Sequence, residues 1–191
     1  MKNTKTGKLI VRILTALISV AVIASFVCLF FPYFSISEEY HYILRPNPQV
    51  LEYNLIDLMW TNTKAITAHF SGIYGNFDIN DFVTLPVLSF LFGLGMIISS
   101  IWHTANEVRR YPDMSSGIVT NICCVFWGVF GLLGYLQNQL LSLGVAEYMY
   151  IRTVIIIILA VGTVLSIARF VVWLLTEIQI AKDRKARLAL L

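Results

Sequence analysis

The chain has 191 residues, of which 58% are hydrophobic and 13% charged, with a formal charge of +3 and a mean hydropathy of +0.75. A soluble domain is about a quarter charged, so this sequence has half of the charge that a water-facing surface needs. The composition excludes a water-soluble monomer, a secreted disulfide scaffold, a disordered tail and a free nucleic-acid binder, and it specifies an integral membrane protein.

Residues 9–31 form the first of four uncharged or nearly uncharged runs, followed by 82–102, 118–141 and 153–176. Each is long enough for the roughly 20 residues that a helix needs to cross a bilayer. Helix is the required form, because lipid offers no partner to open backbone groups. The first run has the basic start and the small residues Ala24 and Ser25 of a secretory signal. Its apolar stretch continues to Phe31, beyond the length of a signal core, so a retained helix is expected.

Between the first two runs lies a segment, residues 32–81, that is net acidic: Glu38, Glu39, Glu52, Asp57, Asp78 and Asp81 against Arg45 and Lys64. Phe34, Ile36, Tyr40, Tyr42 and Leu44 alternate with mostly polar neighbours, which predicts strand. Arg45-Pro46-Asn47-Pro48 breaks the chain, and Leu51, Leu55, Ile56, Leu58 and Met59 recur at helical spacing before Trp60. The expectation is a small strand-rich cap with one short helix. Its rings are dense, and Tyr40, Tyr42, Trp60 and Tyr74 are the candidate contacts for a protein partner. The competing reading for each ring is a headgroup-level belt and a mini-core.

Lys2, Lys5, Lys8 and Arg12 precede or open the first run, Arg109 and Arg110 lie between the second and third, and Lys182, Arg184, Lys185 and Arg187 follow the fourth. The opposite side holds Arg45, Lys64 and Arg152. Cytoplasmic flanks collect Lys and Arg, so both termini are expected in the cytoplasm, with 32–81 outside and residues 177–191 as a basic cytoplasmic tail. Anionic lipid accounts for that basic face without nucleic acid. The fold expected is an all-α membrane protein, one domain over 1–191: a four-helix bundle capped between helices one and two, multi-pass in the cell membrane.

Reactive chemistry is sparse. Cys28, Cys123 and Cys124 all fall inside the runs, where they read as small apolar helix residues rather than an oxidoreductase pair. His41, His69 and His103 are far apart and form no zinc-type pair, and no phosphate-cradling glycine loop or nucleophile elbow occurs. No catalytic residue, metal or cofactor is therefore expected.

Four polar residues in or beside the runs are the candidates for function, because ionisable groups in membrane are expensive. They are Arg12, Asn121, Arg169 and Glu177, all toward the cytoplasmic face. Arg169 has partners within reach in Glu177, two turns on, and in Asn121 across a helix interface. The favoured reading has its long side chain snorkelling to the headgroups. Small residues recur at four-residue spacing in Thr15/Ser19, Ala21/Ser25, Gly95/Ser99 and Gly162/Ser166, and at three-residue spacing in Gly128, Gly131 and Gly134. They mark close helix packing, within the bundle or with a partner helix.

The layout, with Phe31-Pro32-Tyr33-Phe34 leaving the first span and Asn54-Leu55-Ile56-Asp57-Leu58-Met59-Trp60 closing on tryptophan, resembles the claudin-like tetraspan proteins. The resemblance implies four spans, inward termini and a large strand-rich first external loop. That family has a pair of external cysteines after the tryptophan, whereas Thr61-Asn62-Thr63-Lys64 stands here. Barrier formation is not implied, and a microbial cytoplasmic-membrane protein fits better than an animal junction protein. The functional expectation is a non-catalytic accessory, scaffold or assembly subunit of a larger membrane complex, through a membrane-protein partner or self-association. The alternative is a homo-oligomeric channel or small transporter with Arg169 and Asn121 near its pathway.

Overall fold

A computed structural model describes residues 2–37, 50–54, 56, 79–108, 114–141 and 150–188. Four long helices carry the fold: α1 (Lys2–Cys28), α2 (Ile79–Val108), α3 (Met114–Leu141) and α4 (Tyr150–Leu188). Each contains a segment long and apolar enough to cross a membrane: Thr4–Cys28, Thr84–Asn106, Ser116–Gly134 and Val154–Ala186. All four overlap the runs read from the sequence, and the chain is a multi-pass membrane protein. The basic tail is not a separate extension, because α4 continues through it to Leu188. At 39 residues α4 is about 58 Å long, well beyond the hydrocarbon thickness of about 30 Å.

The distribution of side chains is that of a protein dissolved in lipid. Ile13, Leu17, Val20, Ile98, Ile101, Val164 and Leu175 are exposed, while Ser89, Ser116, Thr120, Asn121, Ser166, Arg169 and Thr176 are buried. Burial of hydroxyls is made affordable by the helix itself. Thr15, Thr120, Ser166 and Thr176 each donate to the carbonyl four residues back, at 2.7 to 2.8 Å.

α2 packs along α3, α1 along α4, and α3 against α4, whereas α1 meets α2 more sparingly, through side chains such as Phe26 against Phe90 with ring centroids 4.7 Å apart. Small residues set these approaches. A Cβ on Gly128 would strike Thr163, one on Gly131 would come within 2.6 Å of Leu159, and one on Gly134 within 2.8 Å of Pro86. Gly162 gives way to the indole of Trp127, and Gly95 to Cys123 Sγ at 3.1 Å. Ser25 bonds to Val22 O and Ser99 to Met96 O, each within its own helix, whereas Ser19 bonds to Thr15 O and also reaches Met96 Sδ of α2 at 3.9 Å. Gly93, which the spacing did not single out, lies against Phe26 and Trp127. The core follows from these contacts: Ile18, Val22, Met96, Cys124 and Trp127, each almost fully buried, meet in the middle of the bundle. Phe92, Phe126 and Phe130 cluster beside it, with ring centroids 5.2 to 5.4 Å apart. Ser89 Oγ ties α2 to α3 by donating to Trp127 O at 2.7 Å.

Beyond the helices, β1 (Pro32–Ser37) and β2 (Val50–Asn54) pair antiparallel, with an irregularity between Pro32 and Phe34. β2 corrects one expectation, since the i, i+4 spacing of Leu51 and Leu55 had suggested helix there. The strand-rich cap is not supported either: this two-stranded ribbon is the only sheet among the described residues. Tyr40, Tyr42, Trp60 and Tyr74 lie outside the described residues, as do Arg109 and Arg110.

Candidate functional site

Four helices in antiparallel order bring both termini to one end of the bundle, where Gly7 of α1 sits against Thr176 of α4. At that end the divergence of α1 from α2 leaves a cleft of about 660 Å³ between α1, α2 and α4. Its walls are single helix faces. Lys8, Arg12, Thr15 and Ser19 come from α1 at helical spacing, and Arg169, Trp173, Thr176, Glu177 and Arg184 from α4. Ser100, His103, Thr104 and Asn106 come from α2.

Arg169 stands at the inner end, seven residues and about 10 Å inside Thr176. Its side chain is 1% exposed, so it does not snorkel, and that expectation is corrected. The reason is visible along α4: Ile155, Leu159, Gly162, Ser166, Arg169, Trp173 and Thr176 are all buried and recur at alternating spacings of four and three. Arg169 therefore lies on the seam facing the other helices. An outward turn would have to leave that seam.

The guanidinium is held from two sides. Its Nε donates to Thr15 Oγ1 of α1 at 2.7 Å, and Nη1 donates to Asn121 Oδ1 of α3. Both acceptors are themselves fixed. The Thr15 hydroxyl proton goes to Val11 O at 2.7 Å, which turns its lone pairs toward Arg169. Asn121 Nδ2 donates to Gly117 O at 3.0 Å, which presents Oδ1 across the interface. Gly117 also leaves room for the Trp173 indole, whose Nε1 would lie 3.0 Å from a Cβ there. One residue thus joins α1, α3 and α4. Beside it, His103 Nδ1 and Ser116 Oγ, 2.8 Å apart, join α2 to α3.

Of the polar candidates, the structure brings Arg169 to Asn121 by direct contact, and Arg12 and Glu177 to the cleft wall. Arg169 makes no ion pair with Glu177; both of its hydrogen bonds among the described residues go to neutral acceptors. Sequence reasoning missed Thr15 as a partner, taking it for a packing residue. It also missed Lys8, His103 and Arg184 as cleft residues. The i, i+4 run Lys8, Arg12, Thr15/Ala16, Ser19 on one α1 face is the signal that carries the first of these. Cys28, Cys123 and Cys124 are free thiols within the bundle. No family model, curated protein or solved structure matches this chain.

Proposed function

We propose that this chain is a non-catalytic subunit of a larger membrane complex, acting as an accessory, scaffold or assembly factor, with both termini in the cytoplasm of a cell whose plasma membrane it spans. The observation that carries the reading is the closed core. Ile18, Val22, Met96, Cys124 and Trp127 pack together between the cleft and the opposite end, so the described helices of one copy supply a frame for binding. In this reading the acidic, aromatic segment 32–81 meets the partner, together with small-residue helix faces. Tyr40, Tyr42, Trp60 and Tyr74 are its anchoring rings in this reading. Replacing all four with Ala should release the partner while the bundle stays folded. Unchanged recovery of the partner with that variant would refute the assignment.

A transport role is the second reading, favoured by one specific observation: Arg169 and Asn121 meet at the inner end of a cleft. A homo-oligomeric channel or small transporter would use that charge to attract its solute. Liposomes containing this protein alone should then show solute flux that Arg169→Ala alters. No flux across a broad ionic and solute panel would remove this reading.

A further inference from the structure

We infer that the cleft between α1, α2 and α4 is a binding site for a phosphate group, with Arg169 at its inner end. The inference stands apart from the subunit reading and holds whichever partner the chain has. Arg169 has five N–H donors, and two of them are bonded. Both partners are neutral, so the buried positive charge has no counter-charge among the described residues. A charge withdrawn from water is costly unless an opposite charge or further hydrogen bonds compensate it. The remaining donors belong to a side chain that borders an open cleft, where an incoming oxyanion can meet them.

The rest of the wall selects for the same ligand. Lys8, Arg12 and Arg184 also line the cleft, and Glu177 is the one carboxylate among its described lining residues. Arg12 lies one turn from Thr15 on α1, whereas Arg184 stands fifteen residues and about 22 Å from Arg169 along α4. A planar guanidinium suits an anion with several oxygens better than a halide, which takes no fork geometry. The volume of about 660 Å³ exceeds what a bare anion fills and lies in the range of sites that hold a small organic ligand. Val11, Ala16, Trp173 and Ile180 supply apolar wall between the charges, as an acyl or glycerol portion requires. The phosphate can belong to an anionic phospholipid or arrive free in solution.

The full-length protein in detergent separates these sources. In native mass spectrometry, dioleoyl-phosphatidylglycerol should be retained on the order of tenfold more strongly than dioleoyl-phosphatidylcholine if the phosphate is a lipid's. In calorimetry at constant ionic strength, sodium phosphate should bind the lipid-stripped protein if the phosphate is free. In either arm Arg169→Gln should abolish the preference, the exposed pair Arg12→Gln/Arg184→Gln should weaken it about tenfold, and Glu177→Gln should tighten it. Lys185→Gln, a cation outside the cleft, should change nothing. The double variant decides the matter if Arg169→Gln fails to fold, because both of its positions are exposed. Equal retention of the two lipids together with no phosphate binding overturns the inference. Binding that survives the double variant unchanged overturns it too.

Discussion

Replacing Asn121 with Leu removes the oxygen that accepts from Arg169 Nη1 and leaves a donor of a buried cation without its partner. A hydrogen bond to a charged group is worth about 1.5–3 kcal/mol in water-soluble proteins. Polar contacts between membrane helices average about 0.6 kcal/mol and reach about 1.7. The Arg169 contact is charge-assisted and enclosed, so about 1.5 kcal/mol is expected for Asn121→Leu. Arg169→Met also breaks the bond, but it takes the charge away with it, and the double variant should recover part of the loss. The predicted coupling between the two positions is about 1 kcal/mol, read from reversible unfolding of the four proteins in mixed micelles. Ser99→Ala is the control: its hydroxyl bonds to Met96 O in its own helix, so the loss should stay below about 0.5 kcal/mol. Additive effects at 121 and 169, within about 0.3 kcal/mol, would refute the idea that the two helices are joined through this contact.

Three further outcomes follow from the packing and the topology. Gly128→Ala should cost about 1–3 kcal/mol, because the new Cβ meets the Thr163 side chain and, at 3.2 Å, its backbone; Gly95→Ala meets only Cys123 Sγ and should cost under about 1 kcal/mol in the same unfolding assay. Trp127→Ala should lose about 3–5 kcal/mol by opening a cavity against Gly93 and Gly162, seen as a sharp fall in thermal midpoint. An impermeant thiol reagent should label Lys185→Cys only after the cells are opened and Asn54→Cys in intact cells; the reverse pattern would invert the proposed topology.

Much of the fold is readable in advance because lipid imposes a single rule, that apolar length means helix. The four runs needed no tertiary information. Neither did the association of Gly128, Gly131 and Gly134 with close packing, although only the structure shows that Thr163, Leu159 and Pro86 are what they receive. The strand at Val50–Asn54 was hidden because Leu51 and Leu55 satisfy a helical spacing that a strand ending at Asn54 also permits. Arg169 was the larger error. Its length makes snorkelling feasible, and its direction is decided by neighbours on α1 and α3 that are remote in sequence. One local signal was present nonetheless: Arg169 shares the four-and-three repeat of Leu159, Gly162, Ser166, Trp173 and Thr176. A polar residue in register with small residues on a membrane helix points inward.

The subunit reading is tested most directly by native mass spectrometry of assemblies ejected from the membrane in which the protein is made. The account predicts a reproducible complex of this chain with a second, larger membrane protein, lost in the variant with Ala at Tyr40, Tyr42, Trp60 and Tyr74. A closed ring of this chain alone would contradict it and bring the channel reading to the front.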